Sequence, residues 1–504
     1  MGVAVADQTK TTRATQHRAA QFGPLHVIAA LVGALMIWGS VGPLNDYDSF
    51  FHLQLGGQIL SGHHIGGLST GWLGVPQPSG WVTSQWLAEV IMHAVVTGPG
   101  WHALLALRVL AMVAFVLGLS VTLLRGRPAV VAVPVFVLCL VDVAGVLLIR
   151  PQTVGLLFLV GLGPICLRLW TTGRRPPIAV IALASLLWAQ LHGTWILAPA
   201  AFLLVAVGLQ LDAGRRPAPQ LRATLICLVA SLSGVINPQG LDSFILPLRF
   251  SRASSTIVEW MPTRIASGFA LAWALVVLAA VVAWARSDVA VPRVEVLWVL
   301  SWTAFGLLSY RNVTPAMLMI APAAVHALTR WYDQHRVPPP DVSEPGVVEV
   351  RSGSRESQLL ALAAALLLIG STVGALIRVP GVDVFATTPG RRIAAWVAEQ
   401  PGPVRVFNDW NASGALIGLS DGKARLVIDN RTDLWGDAYT TRIDRAEKMW
   451  PGWEQTVDDF RPDAVVIPQT SALVSGLTLK GWQVALTDHD LVLLLPSSAA
   501  GAAN

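Results

Sequence analysis

Two aspartates and a histidine, Asp46, Asp48 and His52, follow the first apolar segment and open a long loop, residues 44–102, that contains no lysine or arginine. Carboxylates near a membrane surface are costly unless they hold a metal, a cation or a proton in transit. The spacing of the two aspartates puts both on one side of an extended segment, where they can chelate a hard cation or pair a general base with an ionised neighbour. His52, one helical turn after Asp48, is a candidate ligand or proton carrier. The alternative interpretation is that Asp48 caps a helix over 49–61 and that His52 is solvated at the interface.

Further polar residues stand at the ends of apolar segments. An arginine at a tight turn, as at Arg150, can bind a phosphate bidentately, and the alternative is that it snorkels to the lipid headgroups. Breaks at His192 and Asn237 are either plain turns or cavity linings. Because these residues come from many helix ends on one side, we expect them to converge on one cavity. The candidates that join the two aspartates and His52 are Glu89, Arg150, Gln152, His192, Asn237 and Arg311.

The composition indicates the solvent in which these residues work. Charged residues make up 13% of the chain and apolar residues 54%, whereas about 25% of the residues of soluble proteins are charged. The mean hydropathy is +0.58. These values exclude an ordinary soluble protein and predict an integral protein of the cell membrane. The net charge of +5 reflects arginines near lipid headgroups, and we predict no nucleic-acid partner.

The apolar runs predict about eleven spanning helices, because a helix needs about 20 residues to cross the hydrocarbon, and fewer where its neighbours dip inward. The stretch 177–211 is the least certain, since it is either two helices or one long helix interrupted at His192. The predicted spans are 24–43, 103–124, 129–149, 153–170, 177–191, 194–211, 222–236, 267–285, 293–309, 313–330 and 357–377.

The distribution of basic residues predicts the orientation of the chain. Short loops rich in lysine and arginine stay in the cytoplasm. With the N-terminus inside, nearly all such residues fall in inner segments, and an odd number of spans puts the C-terminal part outside. The outer loops between helices then hold only Arg150, Arg249, Arg252, Arg264 and Arg311.

The chain divides into four segments by texture. We predict a cytoplasmic tail over 1–23, a membrane domain over 24–379, an extracytoplasmic α/β domain over 380–497 and a disordered tail over 498–504. Within the large outer loop of the membrane domain, helical patterns occupy 48–61 and 84–97. Strands alternating with helical patterns indicate the α/β domain. Its predicted strands are 404–407, 424–428, 464–467 and 491–495, and its predicted helices are 390–400, 438–448 and 452–460.

A set of short motifs, in order along most of the chain, resembles a bacterial family of polytopic membrane proteins similar to the GT-C class of lipid-dependent glycosyltransferases. Two motifs depart from the family pattern: Tyr47 stands where the family has proline, and Ser84-Gln85 stands where it has His-Glu. The motifs are Asp46-Tyr47-Asp48-Ser49-Phe50-Phe51-His52-Leu53, Ser84-Gln85-Trp86-Leu87-Ala88-Glu89, Arg150-Pro151-Gln152, Trp188-Ala189-Gln190-Leu191-His192-Gly193, Asn237-Pro238-Gln239-Gly240-Leu241, Tyr310-Arg311-Asn312 and Asp429-x-Arg431-x-Asp433-Leu434.

The resemblance implies an inverting transferase that takes a sugar from a polyprenyl-phosphate carrier on the outer face and passes it to an envelope glycan, lipid or protein. Asp46 or Asp48 would deprotonate the acceptor hydroxyl or hold a divalent cation, Mg or Mn. The remaining candidates would bind substrate, with Arg150, Arg311 and His192 on the carrier phosphate. Membrane lipids are the other expected partners.

Two other classes of function stay open. A transporter or lipid flippase is expected to place polar groups near the bilayer midplane and on broken helices in two matching halves. The polar groups of this chain crowd one face instead. A noncatalytic scaffold for envelope assembly would use the outer α/β domain to bind a partner and would tolerate alanine at Asp48.

Overall fold

All eleven apolar runs form helices in the structure. The computed structural model describes residues 22–44, 46–65, 68, 71–76, 82–213, 219–245, 258–336 and 355–497, and the predicted tails lie mostly outside this part. The helices that correspond to the apolar runs are α1 (Pro24–Gly39), α4 (Trp101–Leu119), α5 (Ala129–Val146), α6 (Pro151–Thr172), α7 (Ile178–Leu191), α8 (Leu197–Ala213), α9 (Pro219–Ser231), α10 (Gly268–Ala285), α11 (Arg293–Leu308), α12 (Val313–His335) and α13 (Arg355–Arg378); α2 (Asp48–Leu60) and α3 (Trp86–Thr97) lie in the first loop.

In the described part of the chain, six helices are long and apolar enough to cross a membrane, which makes the chain a multi-pass membrane protein. The other apolar runs form shorter helices, so the predicted count of eleven spans is not confirmed. The stretch 177–211 forms two helices, because His192 adopts an extended conformation that ends α7. The six long helices occupy 101–124, 129–146, 151–172, 193–212, 310–335 and 355–381.

Helix α12 is the centre of the bundle. It packs against α5, α6, α10 and α11, and most of its residues from Val313 to Ala327 are buried. Helix α13 lies at the periphery and packs mainly on α1. Since α6 and α12 are the most buried of the six long helices, they are the rigid elements that carry polar groups at their ends.

The C-terminal part forms a five-stranded sheet with helices on both faces. The strands are β1 (Val404–Asn408), β2 (Ala424–Leu426), β3 (Ala464–Pro468), β4 (Trp482–Asp488) and β5 (Leu491–Pro496). Their order is β2-β1-β3-β5-β4; β1 pairs in parallel with β2 and β3, whereas β5 pairs antiparallel with β3 and β4. The helices are α14 (Arg391–Glu399), α15 (Ser413–Leu419), α16 (Thr432–Glu447), α17 (Trp453–Phe460) and α18 (Ala472–Leu479).

Both faces of this sheet are buried, which explains why its strands read as continuous apolar runs. One face packs on α14 and α15, and the other packs on α16, α17 and α18. The first core also includes Phe51 and Leu55 of α2. The α/β unit is therefore built partly from the first outer loop, and the domain boundary at 380 stays a prediction.

A second segment of the first loop extends the sheet itself. Leu73 forms a parallel bridge with Leu426, because the Leu426 N–H donates to the carbonyl of Trp72 at 2.7 Å and Gly74 N–H donates to the carbonyl of Leu426 at 2.8 Å. This segment covers the exposed edge of β2. Beyond the carboxyl end of β2, Asn430 contacts Asp48 at the start of α2.

Candidate functional site

Arg150 gathers the cluster of acidic residues. Helix α6 begins at Pro151, whose fixed φ suits the first helical position, and Arg150 precedes it in an extended conformation. Its Nε lies 2.6 Å from Asp46 Oδ1, and one terminal nitrogen lies 2.9 Å from Asp48 Oδ2. The same nitrogen lies 3.6 Å from Glu259 Oε1. One guanidinium group therefore joins both predicted catalytic aspartates, as a planar fork of donors is suited to do.

Asp46 is the structural member of the aspartate pair. It is buried, its Oδ1 accepts the backbone N–H of Asp48 at 3.1 Å, and its Oδ2 lies 3.0 Å from Ser49 Oγ. The Asp48 side chain makes no capping bond to α2, so the interpretation of Asp48 as a helix cap is wrong. Burial raises the pKa of Asp46; Arg150 opposes this rise and the charge of Asp48 adds to it.

Asp48 is the member that faces outward. Its side chain is 21% exposed, and its Oδ1 accepts a hydrogen bond from Asn430 Nδ2 at 2.6 Å. Asn430 follows β2, at the carboxyl end of the sheet, and its own Oδ1 lies 3.4 Å from Ser413 Oγ. Sequence reasoning missed Asn430, because a contact between residues 382 positions apart has no local signal.

Two glycines of α15 allow the α/β unit to reach this close. A Cβ atom on Gly414 would collide with the carbonyl group of Tyr47, and one on Gly418 would collide with the ring of Phe50. Burial raises the pKa of Tyr47, and the nearby carboxylates of Asp490 and Asp409 add to that rise. The residue that replaces the family proline is thus enclosed by the α/β unit.

His52 and Glu89 form a second buried pair. His52 Nδ1 lies 3.0 Å from Glu89 Oε1, which also accepts a hydrogen bond from Thr83 Oγ1 at 2.9 Å. Gly56 makes the pair possible, because a side chain there would collide with the backbone of Glu89 where α2 crosses α3. Glu89 thereby fixes the orientation of the His52 ring, and the interpretation of His52 as a solvated interfacial residue is wrong, since it is buried.

His192 stands as a neutral donor beside these groups. Its Nδ1 accepts the backbone N–H of Thr194 at 3.2 Å, so the proton of the neutral ring lies on Nε2. Burial, with smaller contributions from the neighbouring Arg311 and His52, lowers the pKa of His192 to about 3. Arg311 packs over the ring of Trp260 at 5.3 Å. Because Trp260 follows Glu259, which lies near Arg150, this short segment runs between the two arginines.

Two predicted substrate-binding residues have other surroundings. Asn237 Nδ2 donates to the carbonyl of Gly234 at 2.7 Å, and its Oδ1 accepts the N–H of Gln239 at 2.8 Å, which is the bonding of a turn residue. Gln239 in turn donates to the carbonyl of Val82 at 3.0 Å and ties this turn to the first loop. Gln152 is half-buried in the first turn of α6, two residues from Arg150.

The aspartate pair, as arranged, does not fit a divalent cation. Each of the four carboxylate oxygens of Asp46 and Asp48 already lies within hydrogen-bond distance of a donor, with Arg150 between the two side chains. The guanidinium group takes the position of the cation. The described residues hold no group of three or more His, Cys, Asp or Glu side chains that could bind a metal ion. The predicted Mg or Mn ion thus has no support from this arrangement, and no step below depends on it.

Asp429 and Arg431, from the last of the motifs, form a structural ion pair. Arg431 NH2 lies 2.6 Å from Asp429 Oδ2 with both side chains buried. Asp429 also accepts hydrogen bonds from the indole nitrogens of Trp72 and Trp435 at 2.9 and 3.1 Å. This pair joins the first loop to the sheet behind Asn430, and so positions Asn430 on Asp48.

No family model matches the chain, and no curated protein matches its sequence. Solved structures are similar to it. The Archaeoglobus fulgidus oligosaccharyltransferase in its apo form is 14% identical with a TM-score of 0.49, and the match covers 88% of this chain and 69% of that one. ArnT from Cupriavidus metallidurans in the apo state is 14% identical with a TM-score of 0.48, over 94% and 98% of the two chains.

Another similar structure is the arabinofuranosyltransferase AftD from Mycobacteria, which is 14% identical with a TM-score of 0.46 over 95% of this chain and 40% of that one. ArnT has also been solved bound to undecaprenyl phosphate. The likeness is to GT-C-like polytopic membrane glycosyltransferases, the class that the sequence motifs resemble. At these identities, and with TM-scores below 0.5, the likeness carries no argument about this chain, and the roles of side chains rest on their positions here.

Proposed function

We propose that the protein is a glycosyltransferase that moves a sugar from a polyprenyl-phosphate carrier to an envelope acceptor on the outer face of the cell membrane, with its N-terminus in the cytoplasm. The observation that carries this proposal is the environment of the Asp48 side chain. It is a partly exposed carboxylate, held from two sides by Arg150 and Asn430, where the helix bundle meets the sheet. A carboxylate oriented in this way is suited to act as a general base.

The reaction follows from these positions. Asp48 takes the proton of the acceptor hydroxyl while that oxygen forms a bond to the anomeric carbon. The bond between this carbon and the carrier phosphate breaks, and the phosphate leaves with the electron pair. Attack from the face opposite the leaving group inverts the configuration at the anomeric carbon.

The groups that hold the leaving phosphate are Arg311 and His192. A neutral histidine with its proton on Nε2 donates a hydrogen bond to a phosphate oxygen without adding a buried charge, and the low pKa of His192 keeps it neutral throughout the physiological range. The sequence assigned Arg150 to the phosphate as well. In this proposal Arg150 instead keeps Asp48 oriented, because its guanidinium group contacts three carboxylates.

The test is sugar transfer by the purified protein in liposomes, with a panel of polyprenyl-phosphate sugars and envelope acceptors. We expect Asp48→Asn to lower the rate by about 10²–10⁴-fold, the usual contribution of a general base. The matched control is Asp383→Asn, since Asp383 is an exposed aspartate whose ion pair is with Arg391 rather than with Arg150. Equal melting temperatures would show that the variants are folded.

A different result would identify another class of function. If no donor supports transfer, and Asp48→Asn still complements a deletion strain, the protein is a scaffold. If the protein moves labelled lipid across the bilayer without transferring sugar, it is a flippase.

A further inference from the structure

A cavity of about 550 Å³ lies at the end of the helix bundle opposite Asp46, Asp48 and Arg150, which we call the Asp46 cluster. Helix α6 has Arg150 at its start and Trp170 and Thr171 near its end, and about 20 residues of α-helix span roughly 30 Å. Helix α12 likewise follows Arg311 and carries Arg330 near its end. The cavity and the Asp46 cluster are therefore separate sites on the same helices. The polar residues that line the cavity are Thr171, Asp212, Gln220, Glu295, His326 and Arg330.

Glu295 lines this cavity and has one buried carboxylate oxygen with no hydrogen-bond donor among the described residues. Its side chain is 1% exposed. Oε1 accepts hydrogen bonds from Trp284 Nε1 at 2.8 Å and from Arg330 NH2 at 2.7 Å. Oε2 is buried, and none of the residues that the structure describes donates a hydrogen bond to it. A buried acceptor without a donor is costly, so this oxygen is suited to a ligand that carries an N–H or O–H group.

The cavity also contains a partly exposed cation beside Glu295. Arg330 is 29% exposed, His326 lines the same space, and Arg127 NH1 lies 3.5 Å from His326 Nδ1. Asp212 also lines the cavity, and its two carboxylate oxygens accept the backbone N–H groups that begin α11, at 2.8 and 3.0 Å. The cavity thus offers one acceptor for a donor group, and the guanidinium group of Arg330 for an anion.

We propose that this cavity binds the headgroup of an aminophospholipid, in which an ammonium group with N–H donors is joined to a phosphate. The ammonium donates to Glu295 Oε2, and the phosphate lies against Arg330 and His326. Trp170, Leu209 and Pro292 supply the apolar wall for the glycerol end of the lipid. The volume lies within the range of about 300–1,000 Å³ that is usual for ligand sites. In the predicted orientation this headgroup belongs to the cytoplasmic leaflet.

The test is native mass spectrometry of the delipidated full-length protein, titrated with lipids of matched acyl chains. Phosphatidylethanolamine carries N–H donors, whereas phosphatidylcholine has the same phosphate and charge without them. We expect phosphatidylethanolamine to bind about tenfold more tightly, as the loss of one charge-assisted hydrogen bond predicts. We expect Glu295→Gln to reduce this preference to less than twofold, and the control Glu356→Gln, at an exposed position on α13, to leave it unchanged.

A second variant covers the case in which Glu295→Gln does not fold. Thr171→Trp puts an indole at the mouth of the cavity and leaves Glu295 and Arg330 in place, and we expect at least a tenfold loss of phosphatidylethanolamine binding. Free phosphoethanolamine that competes at the same concentration would assign the site to a soluble headgroup, and failure to compete would assign it to the lipid. Equal binding of the two lipids by the wild type, an unchanged preference in a folded Glu295→Gln, or unchanged phosphatidylethanolamine binding in Thr171→Trp would overturn the proposal.

Discussion

The two motif aspartates that meet an arginine, Asp48 with Arg150 and Asp429 with Arg431, differ in what surrounds them. Asp429 and Arg431 are 0% and 1% exposed, and two indole nitrogens complete the bonding of the carboxylate. Asp48 is 21% exposed, and its arginine also contacts other carboxylates. Both pairs occur in motifs of the same resemblance.

The difference shows that a motif can mark either chemistry or assembly. An enclosed ion pair with every carboxylate oxygen bonded leaves no room for a substrate and serves to hold two segments together. An ion pair at an open junction keeps a carboxylate oriented while one side of it stays accessible. Exposure of the carboxylate, rather than the presence of the arginine, separates the candidate base from the structural pair.

The largest effect on stability is expected at the enclosed pair. Arg431→Leu leaves Asp429 as a buried charge without its cation, which costs about 3–5 kcal/mol. The control is Arg442→Leu, because Arg442 pairs with Asp459 at the surface with both side chains nearly half exposed, where an ion pair adds little to stability. Hydrogen exchange in strands β1 to β3 measures the local free energy of opening. Equal protection in both variants would contradict the structural role of the Asp429 pair.

A third carboxylate, Glu447, sharpens the comparison because it is largely buried without an arginine. Burial raises its pKa to about 9, and the charges of Asp409 and Asp444 add to the rise. A carboxyl whose folded-state pKa is raised stabilises the fold fully below its unfolded value near 4.5 and loses that contribution as the pH rises toward 9. We therefore expect the α/β unit to become less stable between pH 5 and 9.

Replacing this group removes the pH dependence. We expect Glu447→Gln to flatten the profile of melting temperature against pH and to stabilise the unit by about 3 kcal/mol near pH 7, at 1.36 kcal/mol per pKa unit. Glu399→Gln, at an exposed position on α14, should follow the wild type. A Glu447→Gln profile that still falls with pH would show that other groups cause the slope.

The smallest of these effects is expected where the two regions touch. Gly418→Ala inserts a methyl group against Phe50, and overpacking of this kind costs about 1–3 kcal/mol. The shift should move Asn430 away from Asp48. We therefore expect the rate of sugar transfer to fall at temperatures where the variant is still folded. Gly402→Ala is the control, since a Cβ there meets no atom within 4 Å. Transfer at the wild-type rate in Gly418→Ala would mean that the contact with Asn430 is unimportant.

The sequence predicts the helices and most of the strands because apolar runs of different length report burial directly. It misses β4, whose residues are mostly exposed or half-exposed at the sheet edge, and the short helices α15 and α18. At the site, Arg150 is the neighbour of Asp48 that the sequence identified as a candidate, through the Arg150-Pro151-Gln152 motif. Asn430 and Glu259 were not, because their contacts with the cluster join distant segments whose approach depends on the packing of the whole fold.

The bond between Trp72 and Asp429 also sets an order of events during synthesis. These residues are 357 positions apart, and a chain grows by about 5–20 residues per second. The first loop therefore waits about 20–70 seconds for its partner strand to be made. During that time Trp72 and the apolar face of α2 have no sheet to pack against. The newly made loop therefore exposes apolar surface that a chaperone or the membrane surface can bind.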